Sequence, residues 1–226
     1  MKKGRLLDAV SPKKANPLFT TDRQVGMCRP MKKPHAKQRI LDTAADLFSD
    51  RGYSSVGINE IIEKSETAKA SFYQHFPSKE QLCVTWLTDA HERSKAGHEA
   101  ILNGPGNASE KVIAYFEDLK EWIKTKDFRG CPFTNTIAGL DGESPPISEQ
   151  VEHYKLSIRD FFIDLANDIA PADSAARRLG TMFFLLYSGA TSESQNLRSA
   201  WPVDAAIESV HWILAKESAK SPNQSL

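Results

Sequence analysis

A short polar segment at residues 68–75, here termed the reader segment, concentrates side chains that can hydrogen-bond to an outside partner. Within about two helical turns it offers the donors and acceptors Lys69, Ser71, Tyr73, Gln74 and His75. Such groups bind phosphate oxygens and base edges in DNA. Lys69 is the strongest candidate, because an ammonium serves either a phosphate or a guanine acceptor. For Tyr73 and His75 the alternative role is to complete a small core.

A second chemical candidate is the thiol of Cys131, in the stretch RGCPF at residues 129–133. The sequence places this thiol near a helix start and beside Arg129, and both features favour the nucleophilic thiolate. Cys131 is therefore a candidate sensor of oxidants or electrophiles. The alternative is a small, buried, unreactive apolar side chain. The wide spacing of Cys28, Cys83 and Cys131 predicts neither a disulfide framework nor a zinc site.

The reader segment forms the second half of a helix-turn-helix pattern. Isoleucines at helical spacing over residues 58–62 predict a preceding helix, and a polar break at residues 65–67 predicts a tight turn. Phe72 and Phe76, four residues apart, are expected to face inward and to leave the polar side chains on the exposed arc. An apolar stripe over residues 40–48 predicts a first helix that packs behind the reader segment.

A fourth helix is predicted directly after Pro77. Ser78 can cap its N-terminus, while Gln81, three residues later, can reach back as in a capping box. The helix is expected to continue to about Leu102. A glycine- and proline-rich break at residues 103–107 then separates it from the next helix.

Residues 35–85 resemble the helix-turn-helix domain of the TetR (tetracycline-repressor) family of transcriptional regulators. The matching positions in and after the reader segment are Lys69, Ser71, Phe72, Tyr73, His75, Phe76, Pro77, Ser78, Lys79, Glu80 and Leu82. Upstream, the matching positions are Ile40, Ala44, Leu47, Phe48, Gly52, Tyr53, Ile58 and Ile61. The resemblance implies that the partner is a double-stranded DNA operator. The resulting candidate DNA-binding residues are Lys69, Ala70, Ser71, Tyr73, Gln74, His75 and Lys79.

Three positions depart from the usual pattern of this family. Glu66 stands where the family has a turn glycine, which predicts a left-handed residue with strain of about 1 kcal/mol. Ala68 and Ala70 replace the common serine and glycine at the start of the reader segment. Because alanine is a poor cap, Thr67 is expected to cap the helix instead.

The chain has 226 residues, and its 40% apolar composition suffices for a sizeable core. Its formal net charge of zero divides into +9 for residues 1–40 and −9 for residues 41–226. A flexible basic arm, interrupted by prolines, is predicted at residues 1–33. Its positive charge is expected to contact DNA phosphates, and the alternative is a solvated tail without a partner. The N-terminus lacks the apolar region of a signal peptide, and no apolar stretch could cross a bilayer. We therefore expect a cytoplasmic protein without a membrane partner.

The remainder of the chain shows helical periodicity and predicts a second, ligand-binding domain. Its many aromatic residues are consistent with a mostly apolar cavity for a small-molecule effector, although such residues more often form an ordinary core. The candidate ligand-binding residues are Trp122, Phe133, Asn135, Tyr154, Phe161 and Phe184. The sequence offers no metal-binding pattern, no phosphate-binding glycine loop and no paired nucleophile and base. We accordingly predict no metal, no cofactor and no catalytic residue.

The last two helices, predicted at residues 174–190 and 202–215, carry more apolar surface than one small bundle needs. This surface favours a homodimer, and the alternative is an ordinary intrachain core. In the resembled family, two such helices from each subunit form a four-helix dimer bundle. The two-fold symmetry of such a dimer predicts a palindromic operator.

Together these features predict an all-α chain with an N-terminal three-helix helix-turn-helix DNA-binding domain at residues 34–80. A C-terminal helical ligand-binding and dimerisation domain follows at 81–218, and a tail at 219–226. The favoured function is a homodimeric repressor that a small apolar or electrophilic effector releases from DNA. One alternative is a DNA-binding dimer that responds to oxidation of Cys131 or to a protein partner. Another is an all-helical enzyme.

Overall fold

The structure, a computed structural model, describes residues 35–220, and within that range all regular secondary structure is α-helical. The helices are α1 (Ala36–Arg51), α2 (Ile58–Lys64), α3 (Lys69–His75), α4 (Lys79–Leu102), α5 (Ala108–Thr125), α6 (Pro132–Ala138), α7 (Pro145–Ile169), α8 (Asp173–Leu197) and α9 (Trp201–Lys220). The predicted all-α class is confirmed. The predicted arm at residues 1–33 lies outside the described residues, as does 221–226 of the predicted tail.

Helices α1, α2 and α3 pack around a small apolar core. The stripe from α1 comprises Ile40, Leu41, Ala44, Leu47 and Phe48, all buried. Phe72 in α3 and Phe76 just after it are fully buried, with ring centroids 6.2 Å apart. The prediction that both phenylalanines face inward is confirmed. Because they anchor one face of a seven-residue helix, the other face is left to solvent.

The turn between α2 and α3 is built around Glu66, whose φ is 51°. The expectation of a left-handed non-glycine residue is confirmed, and such a residue carries strain of about 1 kcal/mol. The prediction that Thr67 caps α3 is wrong, because the N-cap residue is Ala68 and no side chain caps the helix. The hydroxyl of Thr67 is instead engaged inside the turn, where Oγ1 lies 2.9 Å from the Oγ of Ser65.

Helix α4 links the small N-terminal domain to the larger C-terminal one. The predicted cap by Ser78 is confirmed, since its Oγ accepts a hydrogen bond from the backbone N–H of Gln81 at 3.0 Å. The reciprocal contact of the Gln81 side chain, which would complete a capping box, stays a prediction. Trp86 in the first half of α4 packs on Phe48 of α1, with ring centroids 5.5 Å apart. Its later turns contact α7. The 24 residues of α4 therefore connect both domains as one rigid rod about 36 Å long.

The C-terminal domain has its core where α5, α7 and α8 meet, at Phe116, Phe162 and Phe183, which are fully buried. Helices α7 and α8 form an antiparallel pair, because only three residues connect them. Both last helices exceed their predicted bounds, since α8 continues to Leu197 and α9 runs from Trp201 to Lys220.

The extension of α8 depends on polar residues that tertiary packing buries. Thr191 and Ser194 are almost fully buried, and the Thr191 hydroxyl donates to the Tyr187 carbonyl at 2.7 Å. Apolar periodicity could not predict this last part of the helix because the inward positions there are hydroxyl side chains.

Candidate nucleic-acid interface and sensor cavity

The reader helix α3 presents most of its predicted contact residues to solvent. Lys69, Ala70, Tyr73, Gln74 and His75 are exposed, and Ser71 is half-buried. Tyr73 is 43% exposed and places its ring edge-on against Phe72, with centroids 5.3 Å apart. Tyr73 and His75 therefore do not complete the small core. The arrangement offers ammonium, phenol, amide and imidazole groups on one accessible arc, which suits an approach to a DNA groove.

Lys79 was predicted as a DNA contact, and it lies in the first turn of α4 rather than on the reader helix. Its Nζ sits 4.2 Å from the ring centroid of Tyr53 and donates to the Ser54 carbonyl at 3.5 Å. Partial burial lowers the pKa of this ammonium. Lys79 thus holds the loop after α1 against α4, and a contact with DNA at this position stays a prediction.

Arg39 in α1 supports the reader helix in a way that the sequence did not reveal. Its Nε donates to the Ser65 carbonyl at 3.0 Å, and its second guanidinium nitrogen donates to the Glu66 carbonyl at 3.1 Å. These bonds fix the strained turn to α1. No local pattern could identify Arg39, because it lies 26 residues from Ser65 in the chain.

A cavity of about 270 Å³ lies between the N-terminal domain and the C-terminal helices. It brings together four of the predicted ligand-binding residues, Trp122, Phe133, Asn135 and Tyr154, together with Cys131. The other lining residues are Ser49, Trp86, Ala90, Arg93, Ser94, Tyr115, Lys126, Arg129, Gly130, Pro132 and Tyr187. Ser49 belongs to α1, so the DNA-binding domain itself forms part of the wall.

Phe161 and Phe184, also predicted as ligand-binding, do not line this cavity. Phe161 lies two turns beyond Tyr154 on the buried face of α7, where it stacks on the imidazole of His98 with centroids 4.1 Å apart. Phe184 is half-buried at the edge of the core. Helical spacing shows that such aromatics share an inward face, but it does not show which part of that face borders a cavity.

Three tyrosines form the polar part of the cavity wall. Tyr115, Tyr154 and Tyr187 are buried, and the Tyr187 hydroxyl shares hydrogen bonds with the other two. Burial raises the pKa of all three phenols well above its usual value. The phenols therefore stay protonated at neutral pH. The ring of Tyr154 also stacks on Phe133, with centroids 3.6 Å apart.

Cys131 is only 5% exposed, and its basic neighbour is not the predicted one. Lys155 of α7 places its Nζ 4.0 Å from the Cys131 Sγ. Arg129 instead forms an ion pair with Asp50. The chain turns between the two residues at Gly130, whose φ is 69° and whose added Cβ would overlap the Gln195 side chain. This turn directs Arg129 away from the thiol.

Three polar contacts tie the cavity side of the molecule to the DNA-binding domain. The Arg129 guanidinium donates to the Asp50 carbonyl at 2.9 Å, in addition to its ion pair with the Asp50 carboxylate. The Ser54 hydroxyl donates to the Gly139 carbonyl. The Ser144 hydroxyl donates to the Glu80 carboxylate at 2.6 Å. The segment that includes α6 therefore contacts both the cavity and the DNA-binding domain.

The protein has an exposed polar reader helix in a three-helix unit, which one long helix joins to an α-helical domain, and a cavity lies between the two domains. This arrangement defines the class of helix-turn-helix transcriptional regulators. Residues 40–84 match the family model for bacterial regulatory proteins of the tetR family. The chain therefore carries the helix-turn-helix DNA-binding domain of this family, which is the domain of a DNA-binding transcriptional regulator. No described helix, across residues 35–220, has the length and apolar character needed to cross a membrane.

Named relatives and a solved structure extend this similarity beyond the DNA-binding domain. An uncharacterised helix-turn-helix regulator from the lacX 3' region of Lactococcus lactis is 29% identical, covering 62% of this chain and 69% of the relative. The Escherichia coli transcriptional repressor NemR is 30% identical, covering 42% of this chain and 49% of NemR. A TetR-family regulator from Streptomyces coelicolor has the same fold, with a TM-score of 0.74 at 24% identity, covering 81% and 96% of the chains.

Proposed function

We propose that the protein is a homodimeric repressor that binds a palindromic DNA operator in the cytoplasm and is released by a small-molecule effector. The observation that carries this proposal is the exposed polar arc of α3, which is held out from the core by the buried Phe72 and Phe76. A relative of similar sequence, NemR, is named as a repressor. An α3 helix of this kind would enter the major groove with its side chains toward base edges.

Support for a dimer comes from large apolar side chains that α8 and α9 leave on the surface. Met182, Leu185, Leu197, Trp201 and Trp212 are between 45% and 62% exposed. Large exposed apolar side chains on two contacting helices are typical of an interface between identical subunits. A two-fold axis through α8 and α9 would present two reader helices to one face of the duplex.

Release from DNA would follow from the position of the cavity between the two domains. An effector among Trp122, Phe133 and Tyr154 would also border Ser49 of α1 and the segment that contacts Asp50. If it favoured an arrangement in which the reader helices fit successive grooves poorly, effector and DNA would weaken each other's binding by the same factor.

Selection from random duplex DNA tests this proposal. Sequences recovered on the full chain at low salt are expected to align as a palindrome, with half-site centres about ten base pairs apart or a multiple of that distance. Sedimentation of the complex is expected to give an even number of chains per operator. A single unpaired half-site bound by one chain would contradict the dimer. Failure to enrich any sequence would contradict DNA binding.

A second mode of release is favoured by the position of Cys131 on the cavity wall, with Lys155 Nζ at 4.0 Å. The thiolate is the form of cysteine that reacts with electrophiles. The thiolate would add to a ring carbon of a quinone, and the adduct would take up a proton to become a thioether-substituted hydroquinone. The effector would then be held covalently.

Treatment with 1,4-benzoquinone is expected to separate this mode from non-covalent release. Under a dose that frees wild-type protein from DNA, a Cys131→Ser variant should remain bound. Cys83→Ala is the matched control, because burial raises the pKa of the Cys83 thiol to about 12 and keeps it unreactive. Release of the Cys83→Ala variant should therefore match the wild type, and equal release of Cys131→Ser would exclude the covalent mode.

A further inference from the structure

Among residues 35–220, the charged side chains that line the cavity are all basic. Arg93, Lys126 and Arg129 border it, and no aspartate or glutamate of that range does. Asp89 pairs with Arg93 and Asp50 pairs with Arg129, but both carboxylates lie outside the lining. The guanidinium groups of Arg93 and Arg129 remain partly exposed, so they can still bind an anionic group of a ligand.

Basic and aromatic groups occupy different depths of the cavity. Tyr115, Phe133 and Tyr187 are each less than 5% exposed, so they form its interior. The side chains of Arg93 and Arg129 are 65% and 42% exposed, so they stand at its opening. A ligand that matches this arrangement has a flat apolar body with an anionic group at one end. A volume of about 270 Å³ falls just below the usual range for drug-sized ligands and suits one or two rings.

Arg129 is shared between this opening and the DNA-binding domain. Its guanidinium pairs with the carboxylate of Asp50 and donates to the carbonyl of the same residue, close to the C-terminus of α1. A ligand carboxylate is the same chemical group as the Asp50 carboxylate that the guanidinium already binds. Guanidinium groups favour carboxylates because the two can pair through two parallel hydrogen bonds. Ligand and Asp50 would compete for one side chain.

We propose that the cavity is a site for a small aromatic carboxylate, whose ring packs among the interior aromatics and whose anionic group takes Arg129 from Asp50. Removal of Arg129 from Asp50 breaks a link between the cavity and α1. The consequence for DNA rests on the repressor function proposed above, whereas binding of the carboxylate does not.

The test uses 2-naphthoate and its uncharged amide, 2-naphthamide, as probes of equal shape. Binding to the full chain is followed by quenching of tryptophan fluorescence, since Trp86 and Trp122 border the cavity. Because the cations at the opening are partly solvated, the acid is expected to bind only about threefold to tenfold more tightly than the amide. The preference should shrink as salt is added.

Two variants change this preference in opposite directions. Arg129→Gln is expected to abolish it, and Asp50→Asn is expected to strengthen binding of 2-naphthoate by removing the competing carboxylate. Arg177→Gln is the matched control, since Arg177 forms an exposed ion pair with Asp173 on α8 outside the cavity lining. The Arg177→Gln variant should bind 2-naphthoate and 2-naphthamide with the same affinities as the wild type.

Equal affinity for acid and amide in the wild type, or a preference that persists in Arg129→Gln, would overturn the proposal. So would the absence of binding by both probes. DNA binding is measured separately on the same preparations, so that failure of the cavity proposal with intact DNA binding leaves the regulator function standing. Naphthoate binding without any DNA binding would support the cavity site and contradict the repressor.

Discussion

A Lys69→Ala, Tyr73→Ala double variant is expected to bind the selected operator at least about a hundredfold more weakly than the wild type. Both side chains lie on the exposed arc of α3, and neither is buried in the core. A hydrogen bond to a charged group contributes about 1.5–3 kcal/mol. The two replaced contacts recur in each subunit of a dimer, so a combined loss of about 3 kcal/mol, or a hundredfold, is a low estimate. Gel-shift titration at fixed salt measures it.

Two measurements distinguish a loss of direct DNA contacts from misfolding and from a general effect of lost positive charge. Since both residues are exposed, the melting temperature and the sedimentation coefficient of the variant should match the wild type. Lys124→Ala is the matched control, because it removes one exposed ammonium from α5, where Lys124 pairs with Glu121. Operator affinity within about twofold of the wild type in the double variant would refute the assignment of α3 as the reader.

The local features of the DNA-binding domain could be predicted from sequence because their causes are local. The spacing of Phe72 and Phe76 determines which face of α3 is buried, and Ser78 stands one residue before the helix that it caps. Glu66 occupies a turn whose left-handed geometry follows from the helix-turn-helix pattern. In each case the partners lie within a few residues of one another.

The features that could not be predicted depend on contacts between distant parts of the chain. Arg129 meets Asp50 across 79 positions, and Lys155 reaches Cys131 across 24. Composition identified the aromatic residues of the second domain, but only the packing of α4, α5 and α7 decides that Tyr154 borders the cavity while Phe161 stacks on His98. The site is therefore less predictable than the helices that build it.

The role of Gly180 also depends on a contact between distant parts of the chain. Of the proposed substitutions, its replacement by alanine is expected to lower the free energy of unfolding most. Gly180 lies on α8 at a close approach to α7, and a Cβ there would come within 2.5 Å of the Cα and 2.6 Å of the N of Ile163. Because these are backbone atoms, the two helices must separate to admit a methyl group, so we expect a cost of about 3 kcal/mol, the upper end of the usual range for an overpacked core. Alanine would recover about 1 kcal/mol through its helix propensity.

A net loss of about 2 kcal/mol in the free energy of unfolding would lower the melting temperature by roughly 4–8 °C in a chain of this size. Arg178→Ala is the matched control, since it introduces the same residue two positions away on an exposed part of α8. Its melting temperature should stay within about 2 °C of the wild type when both are measured at one protein concentration. If the melting temperature of Gly180→Ala were no lower than that of Arg178→Ala, a methyl group would fit between the two helices. That result would contradict the close approach of α7 and α8 at this position.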